Sequence, residues 1–142
     1  MRIYHLDCTL RDGGYYNNWN FSKSFVQNYI NQISKKNIDC VELGFRFLKK
    51  DLSLGNCAHT TDKFLNSLNT KNLKIPISVM LNASEFIDLS KKKLKKICDN
   101  LFLEKNKSKV SIVRIACRLN ELEKINNLIK ILKKKGYKII IN

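Results

Sequence analysis

An α/β fold built on a parallel sheet is predicted from three observations. Apolar runs of strand length begin near residues 2, 38, 75, 110 and 137, and each but the last is followed by a segment with helical periodicity. The second and fourth runs are near-continuously apolar, as strands are when helices cover their sheet. No low-complexity stretch or linker interrupts the rhythm, and 142 residues, 44% of them hydrophobic, make one domain with a real core.

Residues 2–7 form the first strand, and residues 17–21 are a polar, aromatic connection. Ser22 caps a helix to about residue 36, whose Phe25, Val26, Tyr29, Ile30 and Ile33 follow a 3.6-residue stripe. Residues 38–43 are strand two, closed by Gly44. Residues 45–61 form a long, basic loop, a length that marks function or disorder. A short helix over residues 62–68 carries Phe64, Leu65 and Leu68.

Strand three covers residues 75–81, with Pro76 tolerated at its first pairing position, where a missing N–H matters least. Ser84 or Ser90 caps the next helix, whose inner face is Leu94, Ile97, Cys98, Leu101 and Phe102. Its lysines at 91–93, 95 and 96 belong to the solvated face. Residues 110–116 are strand four. Asn120 and Glu123 make a capping box for a helix through Leu122, Ile125, Leu128, Ile129 and Leu132. Lysines 133–135 suit its C-terminal dipole, Gly136 ends it, and residues 137–141 are strand five.

The net charge is +15, with +3 on residues 1–70 and +12 on residues 71–142. Of the 27 basic residues 22 are Lys, and Lys, Asn and Ile share A/T-rich codons, so base composition accounts for the bias. Aromatic residues are not interleaved with the basic runs, and specific nucleic-acid binding is not expected. No run of 18 apolar residues offers a membrane span, and no signal-peptide core precedes Asp7. Five scattered cysteines without a CxxC pair indicate reduced thiols and a cytoplasmic location.

The chemistry concentrates directly after the first strand, in Asp7-Cys8-Thr9-Leu10-Arg11-Asp12-Gly13-Gly14-Tyr15-Tyr16-Asn17-Asn18-Trp19. A guanidinium beside carboxylates at a strand's end can grip a cation and an oxyanion together; a structural ion pair in a surface loop is the plainer alternative. The glycine pair implies either a sharp turn with φ > 0 or a close backbone approach.

This motif resembles the signature of the metallolyase TIM barrels, the family related to pyruvate carboxyltransferase and hydroxymethylglutaryl-CoA lyase. Its longer form is most similar to the branch containing 4-hydroxy-2-oxovalerate aldolase. The resemblance implies an incomplete (β/α)₈ barrel, with residues 1–142 its N-terminal portion: five parallel strands and four helices. A flavodoxin-like doubly wound sheet is the rival on strand count alone. By position the resemblance makes Asp12 a ligand of Mn²⁺ or Mg²⁺ and Arg11 the group that stabilises an enolate oxygen. The substrate class is a 2-oxo acid or acyl thioester. The family's His-x-His metal pair belongs to a later strand; His5 and His59 are too far apart in sequence to imitate it. The family's acid/base histidine is replaced here by Tyr15, whose phenol can donate a proton but is a poor base at neutral pH.

Glu42 and Arg114 are charges in strands, which in a barrel are more often functional than structural. Arg46, past Gly44, could meet a substrate carboxylate or lie solvated in the loop. Asp7 is expected to orient Arg11 or the turn, His59 to be surface, and Trp19 and Tyr16 to pack. A half-barrel leaves a strand edge open, which a second half-barrel chain or self-association would cover. The competing function is an interaction module or pseudoenzyme fragment with an incomplete catalytic set.

Overall fold

The structure, a computed structural model, describes residues 3–142. Five strands form one parallel sheet: β1 (Leu6–Asp7), β2 (Cys40–Phe45), β3 (Ile77–Asn82), β4 (Val110–Ala116) and β5 (Lys138–Ile141). Their spatial order is their sequence order. A doubly wound sheet must reverse direction at a switch point. An unbroken succession around a curl does not, and the sheet is an open, incomplete half of a (β/α)₈-like barrel. Arg2, included in the expected first strand, lies outside the described residues.

Two long helices form where capping serines and apolar stripes place them. Ser22 Oγ accepts the Phe25 N–H at 3.1 Å at the start of a helix over Lys23–Ile33, and Ser90 Oγ accepts from Lys93 at 3.4 Å before one over Lys91–Leu101. In chain order α1 is Thr9–Gly13, α2 Lys23–Ile33, α3 Asn56–His59, α4 Asp62–Asn66, α5 Lys91–Leu101 and α6 Asn126–Lys134. Val26 and Ile30 of α2, Leu94 and Cys98 of α5, and Leu128 and Leu132 of α6 form the core with Val41, Leu43, Val79, Leu81, Val113 and Ile115 of the sheet. Gly136 ends α6 at φ 93, a backbone conformation that costs glycine least. Pro76 directly precedes β3, and its carbonyl accepts the Val41 N–H at 3.1 Å, so the missing proline N–H leaves the ladder intact.

Five expectations need correction, the last of them at Gly44. The motif after β1 holds a helix, α1, instead of a turn alone. The stretch 45–61 is not simply a loop, since α3 forms within it with Cys57 and Ala58 buried. The expected helix at 62–68 stops at Asn66. The capping box at Asn120 and Glu123 does not form; Glu121 instead accepts the Arg118 N–H at 2.9 Å, one short 3₁₀ turn earlier, and α6 begins only at Asn126.

Gly44 does not close β2 but bends it. The register runs Glu42↔Ser78 and then Phe45↔Met80, so three steps on β2 match two on β3. That β-bulge brings Glu42 and Phe45 to one face although they are an odd number of residues apart. Any Cβ at Gly44 would lie 1.9 Å from the Cys57 carbonyl oxygen. We expect Gly44→Ala to cost about 3 kcal/mol or more, the upper end for overpacking, because the atom in the way is backbone. A urea-unfolding midpoint equal to that of the parent would show that α3 does not press on the bulge.

Candidate functional site

The site is assembled where β1 passes into α1. Asp7, the last residue of β1, accepts the Thr9 N–H at 3.0 Å, the Thr9 hydroxyl at 3.3 Å and the Tyr29 hydroxyl. It fixes the turn rather than Arg11. Burial and the adjacent Asp7 carboxylate push the Tyr29 phenol well above its ordinary range, so it remains a donor. Both glycines of the pair are right-handed helical, φ −62 at Gly13 and Gly14. The positive φ values fall instead on Asn18 and Trp19, both 55. Gly14 is required for the other reason, close approach: a Cβ there would meet the Trp19 ring at 1.9 Å. The Trp19 indole N–H donates to the Arg11 carbonyl at 2.8 Å and locks α1 from outside.

This placement turns Arg11 toward the concave side of the sheet. Its Nε–H donates to Glu42 Oε1 at 2.9 Å, and its Nη1 pairs with Asp12 Oδ1. Glu42 is wholly buried, and the same Oε1 accepts Arg114 Nη1 at 2.8 Å, while Oε2 takes the Ser78 hydroxyl at 3.4 Å. Arg114 Nη2 reaches Asn142 Oδ1. Thus one carboxylate on β2 is shared by guanidinium groups from α1 and β4, the arrangement that makes a buried charge tolerable. Burial opposes the Arg11 charge, yet the hydrogen bond and charges of Glu42 and Asp12 outweigh it and hold its pKa above the ordinary arginine value. The Arg11 guanidinium also lies 5.7 Å from the Phe45 ring centroid.

Asp12 is the half-exposed member, with 54% of its side chain accessible. The Cys8 thiol donates to its Oδ2 at 3.0 Å. Burial and then this carboxylate raise the Cys8 pKa above 9.0. Tyr15 stands at the same rim, 63% exposed, edge-on to Trp19 at 4.9 Å between ring centroids and to Phe45 at 6.2 Å. Arg46 does not join the group. It is buried in the helix layer, donating from Nε to Thr60 at 3.1 Å and from Nη1 to Leu101 at 2.7 Å. His59 is half-buried rather than plain surface, and Tyr16 is 97% exposed rather than packed.

Ser78, Phe45 and Asn142 join the site without having been singled out from the sequence. A signal existed for Ser78, a lone hydroxyl inside the apolar run Ile77 to Leu81 at the register of Glu42. For Phe45 the signal was Gly44, because a lone glycine inside a strand run suggests a bulge.

As a metal centre, Asp12 offers one hard oxygen donor of the kind Mn²⁺ and Mg²⁺ prefer. Glu42 and Asp7 are already committed. Among the described residues no group of three or more His, Cys, Asp and Glu side chains could hold an ion. Among the described residues, Asp12 is thus the carboxylate left available as a single ligand position.

No protein-family model matches the chain, and no curated protein is significantly similar to it. Among solved structures, the crystal structure of the N-terminal domain of a candidate aldolase from Bacteroides vulgatus superposes with a TM-score of 0.77 at 28% identity, over 99% of this chain and 44% of that one. The likeness is to an aldolase-type domain. The chain spans less than half the length of the relative it matches. Among the described residues no helix is long and apolar enough to cross a membrane.

The five thiols fall into two groups. Burial raises Cys40 and Cys57 to about 12 and Cys98 to about 11. Cys8 and Cys117 are only half-buried. We expect a thiol-exchange reagent at pH 8 to titrate no more than these two in native protein and all five after unfolding. Because the buried thiols ionise more readily when unfolded, their contribution to stability is full below the ordinary 9.0 and falls as pH rises from there toward 12. Five fast thiols in native protein would contradict the burial.

Proposed function

We propose that the chain is the catalytic N-terminal portion of a metal-dependent carbon–carbon lyase or aldolase acting on a 2-oxo acid or acyl thioester through an enolate. The observation that carries this is the pair Arg11 and Asp12 at the rim after β1, with Arg11 oriented by the buried Glu42. Cleavage next to a carbonyl leaves an electron pair that delocalises onto the carbonyl oxygen, and a fixed guanidinium stabilises that negative charge as it develops. Asp12 is one ligand of a divalent cation, Mn²⁺ or Mg²⁺, and the ion when bound supplies Lewis-acid polarisation of the carbonyl. In this reading Tyr15, whose phenol is exposed at the same rim, donates a proton from the solvent side, and Arg114 serves through its hydrogen bond to Glu42. Arg46, expected either to meet a substrate carboxylate or to lie solvated, is buried and donates to the Thr60 and Leu101 carbonyls, so it is given no part in the reaction. A second half-barrel chain or a second copy would supply the missing ligands and cover the sheet's open side.

The test is release of pyruvate from a 4-hydroxy-2-oxo acid in the presence of Mn²⁺ by the barrel that contains this segment, with Asp12→Asn losing both activity and Mn²⁺ dependence. Turnover that survives Asp12→Asn and chelation removes the proposal. A second reading, an interaction module or pseudoenzyme fragment, is favoured by the lack of a three-ligand group among the described residues. Calorimetry with Mn²⁺ separates the two. One carboxylate with waters binds at about millimolar strength or weaker, and micromolar affinity of this chain would exclude the degenerate form.

A further inference from the structure

A second group of charged side chains, unused by the proposed reaction, lies in the helix layer between α3, α4 and α5. With Nε and Nη1 of Arg46 committed to carbonyls, its Nη2 stands 3.1 Å from Asp62 Oδ2 outside hydrogen-bond geometry. It is the single buried side-chain nitrogen or oxygen among the described residues without a hydrogen-bond partner. Arg46 helps to wall a cavity of ≈ 330 Å³ that also meets His59, Lys63 and Asn100. His59, Thr61 and Leu101 are shared with an adjoining cavity of ≈ 320 Å³, walled by Phe47, Leu48, Leu52 and Leu54, with Lys50 at its side.

The crevice is therefore cationic at one end and apolar at the other. Its carboxylates are engaged already: Asp62 by Arg46 and the Ser108 hydroxyl, Asp51 by the Ser53 N–H and hydroxyl. Lys50 and Lys63 have no carboxylate partner within salt-bridge distance among the described residues. Each cavity lies at the lower end of the size range of small-molecule sites, which are mostly apolar with a few placed polar groups.

We propose that this crevice binds a small monocarboxylate with an apolar tail. The carboxylate meets Lys63 and the Asn100 amide, with the Arg46–Asp62 ion pair behind them contributing no net charge, and the chain lies along Phe47, Leu52 and Leu54. A monoanion fits because, among the described residues walling this end, Lys63 is the cation without a carboxylate at salt-bridge distance, and Arg46 is occupied by two carbonyls and Asp62, leaving no bidentate fork for a phosphate. The assignment does not depend on the proposed reaction.

The protein carries its own reporter. Trp19 is the single tryptophan, and its ring lies edge-on to Phe47 at 5.4 Å between centroids. Sodium octanoate, titrated into the full chain, is expected to change Trp19 emission saturably, with matching heat in calorimetry. 1-Octanol, which lacks the charge, is expected to bind at least about tenfold more weakly, a difference of one charge-assisted contact. Lys63→Glu and Leu52→Asp each alter an exposed side chain and should leave the fold intact while weakening octanoate about tenfold. The proposal fails if octanoate gives no saturable signal by either method, if octanol binds equally well, or if both variants bind as the parent does.

Discussion

Replacing Glu42 by glutamine is expected to lower stability by about 3–5 kcal/mol, the range for breaking a buried ion pair by removing one partner. The carboxylate is wholly buried, and one of its oxygens accepts from both Arg11 and Arg114. A carboxamide of the same shape can accept from one guanidinium but turns an N–H₂ group toward other donors, leaving two cations with no anion between them. With m near 2 kcal/mol/M for a chain of this size, the urea midpoint should fall by more than about 1 M. Adding Arg114→Met to the variant should recover part of the loss, since it removes one of the two stranded charges. A midpoint unmoved by Glu42→Gln would mean that the two arginines do not converge on this carboxylate.

Arg11→Ala is expected to reduce turnover of the proposed lyase reaction about 10²–10³-fold, the loss typical when one donor to a developing oxyanion is removed. The effect should fall on kcat more than on KM, because the interaction strengthens as charge builds. Arg11→Lys should recover little, since a lysine cannot hold Glu42 through a lateral Nε–H while presenting a second edge to the reacting oxygen. Tyr15→Phe should cost less, its phenol being exposed and replaceable by water. Parent-like kcat/KM for Arg11→Ala under Mn²⁺ saturation would remove Arg11 from the chemistry.

Sequence revealed the parts of this molecule that depend on local pattern. Ser22, Ser90 and Gly136 each satisfy backbone groups within a few residues, and each is found at the helix end it was expected to mark. The strand rhythm was visible because β/α units repeat hydrophobic periodicity over many residues. Short elements escaped. Helix α3 has four residues, too few for a stripe, and its start is marked only by Gly55. The capping box was misplaced because Asn120-Glu123 and Arg118-Glu121 share the same spacing, and spacing alone does not select between them. For the site, the charges at 42 and 114 were legible as unusual in strands. Their convergence was not, since it depends on strand order and on the register that sets Arg114 beside Met80. Arg46 illustrates the converse: a charge just past a strand resembles a binding residue until the layer into which it folds is known.

The sheet's order also has a consequence for how the chain is made. Each strand pairs with the one synthesised just before it, so successive units can dock as they leave the ribosome without waiting for distant sequence. Glu42 breaks that simplicity. Arg11 is already at hand when it emerges, but Arg114 follows 72 residues later. During that interval the carboxylate faces a single cation, and the nascent half-barrel closes over its charged interior only when the fourth strand arrives.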